Sequence, residues 1–253
     1  MDYSKSATVK IQGGLGNQLF QYSFAIFLKK HLKTKINLDI SWFDKQKLRK
    51  FQINDLLTGL LFDTIRLKPN IFNKVLSYRS EEFISFLLKK NFYTFINYFD
   101  GYWQDIFYAQ FLASGQHFKK NIFLKKFTKD YYVIHLRRGD FLSSKVHYIL
   151  PDEHYLKYVQ LFNDKIIYIL SSNKEDALNF MKKTKAKVEF IDCDDMEAFS
   201  LIYNASGGIA SNSTFCWWAI FLSDCRNWLF PYRWLKKKNI IEHNLNIKNT
   251  ILI

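Results

Sequence analysis

Beyond Tyr131, apolar and polar positions switch regularly between two periods. Short strand-like segments, YYVIHL (131–136), KIIYIL (165–170), KVEFID (187–192), GGIAS (207–211) and NWLFP (227–231), predict strands. Between them, DEHYLKYVQLF (152–162), KEDALNFMKKT (174–184), DMEAFSLIYNA (195–205) and STFCWWAIFLS (213–223) carry helical apolar spacing, with Pro151 just ahead of the first. Alternating strands and helices with short connections predict a parallel, doubly wound sheet, whose ligands sit outside the C-terminal strand ends.

An earlier segment repeats the unit. TVKIQ (8–12) reads as a strand, GGLGN (13–17) as a tight turn, QLFQYSFAIFLKKHLK (18–33) as a helix and KINLDI (35–40) as a second strand. From residue 45 to residue 125 the chain is rich in Phe and Lys. Helices are expected there at Glu81–Lys90 and Asp105–Ser114, with FDGYWQD (99–105) as a loop. No repeat or low-complexity linker marks a boundary, which is placed near residue 128, giving domains 1–128 and 129–253.

At 253 residues the chain can bury a substantial core. Its longest apolar stretch, Phe215–Leu222, is far shorter than the ~20 residues that span a bilayer, and MDYSKSATVKIQGG lacks a signal peptide's apolar core. Cys193, Cys216 and Cys225 are odd in number and without metal-type spacing, which suggests reduced thiols in a cytoplasmic protein. The net charge of +14 comes from lysine clusters such as KKHLKTK and LKKKN. Such a surface suits nucleic acid, an anionic bilayer or an anionic small molecule. No nucleic-acid-binding signature accompanies it, so no nucleic-acid partner is expected. Solvated faces account for most of the lysines, and peripheral contact with the inner face of the cytoplasmic membrane comes second.

Four motifs carry candidate chemistry. HLRRGDF (135–141) ends an apolar strand with Arg137 and Arg138, whose guanidiniums can grip a phosphate by bidentate bonds while an aspartate fixes one of them. GGLGNQ (13–18) precedes a helix, where glycines let backbone amides approach a phosphate, although a plain tight turn fits equally well. It is no Walker A motif, and Leu19 stands where a dinucleotide fingerprint needs its third glycine. SNSTFCWW (211–218) sets hydroxyls at a helix start, where Ser213 would also serve as N-cap; Trp217 and Trp218 read as packing. IDCDD (191–195) contains an Asp-x-Asp at Asp192 and Asp194 that could hold a divalent ion, but acidic residues opening a helix also satisfy its dipole, the favoured reading. His147, Asp152 and His154 follow the arginine pair and could supply a base, but surface positions on a loop and first helical turn are the favoured reading; His31, His117 and His243 join no constellation.

GGLGNQLFQY, HLRRGDF and SNSTFCWW, in this order, resemble the α-1,2-fucosyltransferases, glycosyltransferase family 11, in their bacterial form. The likeness covers nearly the whole chain and extends to NLDISWF, GYWQDIFY and NWLFPYRW. It implies a GT-B-like α/β fold of two Rossmann-like domains, with parallel sheets facing across a cleft. It implies inverting, metal-independent transfer of L-fucose from GDP-β-L-fucose to the 2-OH of a galactose-type acceptor, in O-antigen, capsule or oligosaccharide synthesis. No cofactor is expected.

Carried onto this sequence, the resemblance places His135, Arg137, Arg138 and Asp140 at the diphosphate and part of the nucleotide. Asn17, with Gly14 and Gly16, would approach the donor from the first domain, and Ser213 and Thr214 would meet the phosphates. Arg137 and Asp140 are the expected catalytic residues; Asp140 or a neighbouring acid would assist a loose, carbocation-like displacement, and no general base stands out. Ala198 occupies a position where the family carries an aspartate, leaving Asp195 or Glu197 to meet the guanine. Two other readings stay open: a related GDP-deoxysugar donor such as GDP-colitose, and a metal-dependent glycosyltransferase using Asp192 and Asp194. A non-enzymatic nucleic-acid binder is the weakest alternative.

Overall fold

A computed structural model describes residues 6–32, 34–67, 75–77, 98–114, 118–119, 127, 129–225, 227–236, 245–248 and 250–253. The side chains of residues 75–77 and of Asp140 lie outside that description, as do the expected helix at 81–90, His117 and His243. The chain divides into two compact units, Met1–Phe118 and Lys119–Ile253.

The first unit runs β1 (Ser6–Lys10), α1 (Leu15–Leu32), β2 (Lys35–Asp39), a 3₁₀ turn (Ser41–Lys45), α2 (Ile53–Leu56), β3 (Asp63–Ile65), β4 (Val75–Ser77), β5 (Tyr98–Asp100) and α3 (Ile106–Ala113). Its sheet has the order β3-β2-β1-β5-β4, and every pairing is parallel. Consecutive buried residues Ala7, Thr8 and Val9 in β1 show burial on both faces. Helix α1 buries Phe20, Phe24, Phe27 and Leu28 and packs on α3. Phe24 stacks flat on Trp103 at 3.8 Å and meets Tyr108 edge-on at 5.0 Å.

Two local readings need correction. The helix starts at Leu15 rather than Gln18, so Gly16 and Asn17 belong to its first turn and the tight turn is confined to Gly13 and Gly14. The reversal needs Gly13 at φ +82°, and Gln18 N–H donating to Gly14 C=O at 3.0 Å closes the first helical turn. The expected loop at 99–105 begins as a strand: Tyr98 and Phe99 pair with Thr8 and Val9. At three residues β5 is too short to show a period.

The second unit runs β6 (Tyr131–Leu136), a 3₁₀ turn (Gly139–Phe141), α4 (Asp152–Val159), a 3₁₀ turn (Gln160–Phe162), β7 (Ile166–Ser171), α5 (Lys174–Met181), β8 (Val188–Phe190), α6 (Asp195–Tyr203), β9 (Gly208–Ile209), α7 (Thr214–Leu222), β10 (Trp228–Phe230) and β11 (Ile251–Leu252). This sheet, ordered β11-β10-β9-β6-β7-β8, is also wholly parallel. Strand β6 lies inside it and pairs along its full length with β7, from Tyr131↔Ile166 to Leu136↔Ser171. The core on one side gathers Ile134, Leu136, Ile167, Ile169, Tyr155, Phe180 and Ile209. Trp217 and Trp218 are fully buried, as their reading as packing residues requires.

The glycine pair in GGIAS is a packing necessity. A Cβ on Gly208, at φ +149°, would lie 1.9 Å from the Val133 carbonyl oxygen, and one on Gly207 would lie 2.2 Å from that of Asn227. Strand β9 therefore fits between β6 and β10 only with bare backbone at its start.

Candidate active site at the strand ends of the second unit

Adjacent strands β6 and β9 both stop where polar residues begin. Their register pairs Ile134 with Ile209, and beyond it come His135 on one strand and Ala210 and Ser211 on the other. His135 Nδ1 lies 2.6 Å from Ser211 Oγ, and both side chains are buried. Phe215, in the first turn of α7, lies face to face with the imidazole at 6.1 Å and meets Phe199 of α6 edge-on at 5.6 Å. Burial first, and then the charge of Arg137, push the His135 pKa down to about 3. The ring is therefore neutral near pH 7 and adds no charge to the site.

The two arginines separate. Arg137 is half-buried, with its guanidinium carbon 5.0 Å from the centre of the Phe141 ring. Phe141 in turn stacks on His147 at 4.1 Å, whose Nδ1 lies 2.9 Å from Ser144 Oγ. Arg138 pairs instead with Asp152 in the first turn of α4, and Lys183 binds the second carboxylate oxygen at 2.6 Å. Burial works to raise the Asp152 pKa. Hydrogen bonds and charges from Lys183 and Arg138 outweigh it and hold the carboxyl below its usual range. Asp152 was expected on the surface and is buried. Its spacing with Tyr155 and Val159, also buried, puts all three on one helix face, the signal that marks it. Asp140 sits in the 3₁₀ turn after Arg138.

Ser213 occupies the N-cap position of α7, but its hydroxyl makes no capping bond. Thr214 is the first helical residue. Asn212 fastens this turn from behind, its amide donating to the carbonyls of Tyr148 at 2.7 Å and Trp234 at 3.1 Å. The structure thus gathers His135, Arg137, Ser211, Ser213 and Thr214 around two neighbouring strand ends and a helix N-terminus. That arrangement suits an anion. Sequence marks no role for Ser211, and offers Asp152 only as a base or a surface position, not as the partner of Arg138.

The Asp-x-Asp follows β8 at an exposed corner. Asp194 caps α6, accepting the Glu197 N–H at 2.8 Å, as the helix-start reading predicts. Asp195 opens α6 one turn before Phe199 and is exposed. Among the described residues, no group of three or more His, Cys, Asp or Glu side chains gathers as metal ligands. None of the three cysteines is in a disulfide, and no described helix is long and apolar enough to cross a membrane.

In the first unit, Asn17 Oδ1 accepts from Gln104 Nε2 at 2.8 Å. Gln18 donates to the carbonyls of Gly13 and Lys50, both at 2.9 Å, tying the turn to the chain ahead of α2. Arg49 lies beside Gly14, where a Cβ would stand 3.6 Å from its guanidinium. The strained Trp103 (φ +53°) follows β5, and the exposed Tyr102 ring borders Gly13.

Comparison with known proteins adds three findings. The sequence profile of glycosyl transferase family 11 matches residues 1–237. The chain is 25% identical to the O-antigen biosynthesis glycosyltransferase WbnK of Escherichia coli, covering 90% of this chain and 95% of that one; it is 22% identical to an α-1,2-colitosyltransferase of Escherichia coli, covering 91% and 93%. The fold matches the fucosyltransferase NodZ from Bradyrhizobium with a TM-score of 0.54 at 10% identity, covering 87% of this chain and 92% of NodZ. NodZ has also been crystallised with GDP and soaked with GDP-fucose.

Proposed function

Since the chain belongs to glycosyl transferase family 11, we propose that it transfers L-fucose from GDP-β-L-fucose to the 2-OH of a galactose-type acceptor, with inversion, during surface-glycan assembly. The observation that supports the reading is the strand-end cluster of the second unit, where β6 delivers a neutral His135 and then Arg137 beside the turn that leads from β9 into the α7 N-terminus. Cleaving the sugar–phosphate bond leaves negative charge on the departing diphosphate. A fixed guanidinium and helix amides lower that barrier where the charge develops. Arg137 is the catalytic cation, and His135, Ser213 and Thr214 bind the donor beside it.

Arg138 is held by Asp152 and shapes the loop that carries Arg137. Asp140 assists departure of the sugar as a loose, carbocation-like displacement proceeds, and Asp195 meets the guanine. Asn17, Gly14 and Gly16 are the first unit's contribution to donor binding, and that unit takes the acceptor. The chemistry asks for no metal, because fixed cations and amide dipoles occupy the role an ion would play. A GDP-colitose donor is the second reading, favoured by the resemblance to the colitosyltransferase.

Incubation with each donor and a panel of galactosides in excess EDTA, with NMR of the product, tests these choices. An α-1,2-fucosyl product supports the reading. An obligate divalent-metal requirement, or transfer from GDP-colitose alone, would overturn it.

A further inference from the structure

The Ser211 hydroxyl and the His135 imidazole meet in a place where neither has a second choice. Ser211 has no exposed surface and His135 has 7%. Among the described residues, His135 Nδ1, at 2.6 Å, is the one hydrogen-bond partner of Ser211 Oγ, and His135 Nε2 has none. A serine hydroxyl carries one hydrogen, whereas a neutral imidazole nitrogen is either an N–H donor or a lone-pair acceptor.

If Nδ1 carried the proton, it would donate to Ser211 Oγ and leave the hydroxyl hydrogen buried without an acceptor. If Nδ1 is the acceptor, the hydroxyl donates to it and the ring proton sits on Nε2, which is not among the fully buried side-chain atoms left without a partner in the described residues. The cost of an orphaned buried donor favours the second arrangement by at least about fivefold. The ring is kept uncharged by its burial and by Arg137, which opposes a second cation.

Building on the donor-site reading above, we infer that Ser211 is a positioning residue that sets the His135 tautomer. It holds the ring with its proton on Nε2, so that a neutral N–H donor faces an oxygen of the bound nucleotide sugar. The geometry divides labour at the strand ends: Arg137 supplies charge, and His135 supplies a directional hydrogen bond without charge. Phe215 holds the plane of the ring, and Ser211 decides which nitrogen is the donor.

Long-range ¹H–¹⁵N correlation on histidine-labelled, ligand-free protein at pH 7 reads the tautomer directly. The His135 signals are identified by their loss in His135→Gln. The expected result is a protonated Nε2 and an unprotonated Nδ1, with the Nε2–H resonance moving when GDP is added. Ser211→Ala should give mixed tautomers and GDP binding weakened about 5- to 30-fold, and Ser211→Thr should restore both. A proton on Nδ1 in the parent protein would overturn the inference without recourse to any variant. An unchanged tautomer in Ser211→Ala would overturn it as well, because it would reduce the serine to packing. GDP that binds but leaves the Nε2–H resonance unmoved would remove the ligand contact. Failure of the parent protein to bind GDP would instead remove the donor-site reading.

Discussion

Asp152→Asn keeps the side chain's shape and removes its charge. In the parent, Asp152 is 9% exposed, Arg138 is 14% exposed and Lys183 is 56% exposed. The two partners therefore contribute unequally. Removing one member of a fully buried ion pair costs about 3–5 kcal/mol, because it strands the other charge; the pair here keeps slight solvent access, so roughly 2–4 kcal/mol is expected from Arg138. Lys183, mostly in water, adds under about 1 kcal/mol. For a chain of this size, each kcal/mol shifts Tm by about 2–4 °C. Calorimetry at pH 7 should then show a fall of very roughly 5–15 °C for Asp152→Asn and only a degree or two for Lys183→Met. The folded Asp152 pKa lies below its unfolded value, so this stabilisation is present above the unfolded pKa and is lost as pH falls through the folded one. The variant should therefore lose that part of the parent's acid sensitivity. A Tm within one degree of the parent would refute the claim that Asp152 anchors the arginine loop.

Other outcomes follow from the same geometry. Gly208→Ala should abolish soluble expression or lower Tm by more than 10 °C, because its Cβ would lie 1.9 Å from the Val133 carbonyl; a normally stable variant would contradict the close strand approach. His135 has a folded pKa below its unfolded value. Between about pH 6.5 and 3, therefore, the unfolded chain binds the extra proton and stability falls with acidification, by up to about 1.4 kcal/mol per pH unit from this group. Urea unfolding of parent and His135→Gln at pH 7 and pH 5 should show the variant losing less. Asp192→Ala should retain most transferase activity in the presence of EDTA, and a loss of more than tenfold would restore the metal-dependent alternative.

The second unit is legible because its central strand reads as the unbroken apolar run YYVIHL and because strand-like and helical segments alternate regularly after it. In the first unit β3 and β5, three residues each, stand outside any such alternation and carry no signal of their own. Their pairing is decided by long-range partners rather than by local pattern. In the site, Arg137, Ser213 and Thr214 could be marked by type and position. Ser211 could not, because its role depends on β9 lying beside β6, and strand order is not written in local sequence. Asp152 was readable in principle from its helical spacing with Tyr155 and Val159. An acidic residue in a first helical turn is ordinarily solvated, which is why the surface reading is favoured over a buried partner for an arginine.

The central claim is that a guanidinium on the loop after β6 stabilises a departing diphosphate, and Arg137→Lys tests it most directly. The substitution keeps the charge but loses the planar two-pronged fit. Steady-state kinetics with GDP-fucose and a galactoside acceptor should show kcat falling about a hundred- to thousandfold, or ~2–4 kcal/mol, because the oxygen it serves gains charge chiefly in the transition state. Arg66→Lys, at an exposed guanidinium paired with Asp44 at 2.8 Å, is the control and should be nearly silent. A folded Arg137→Lys enzyme that turns over at close to the parent's rate would contradict the claim.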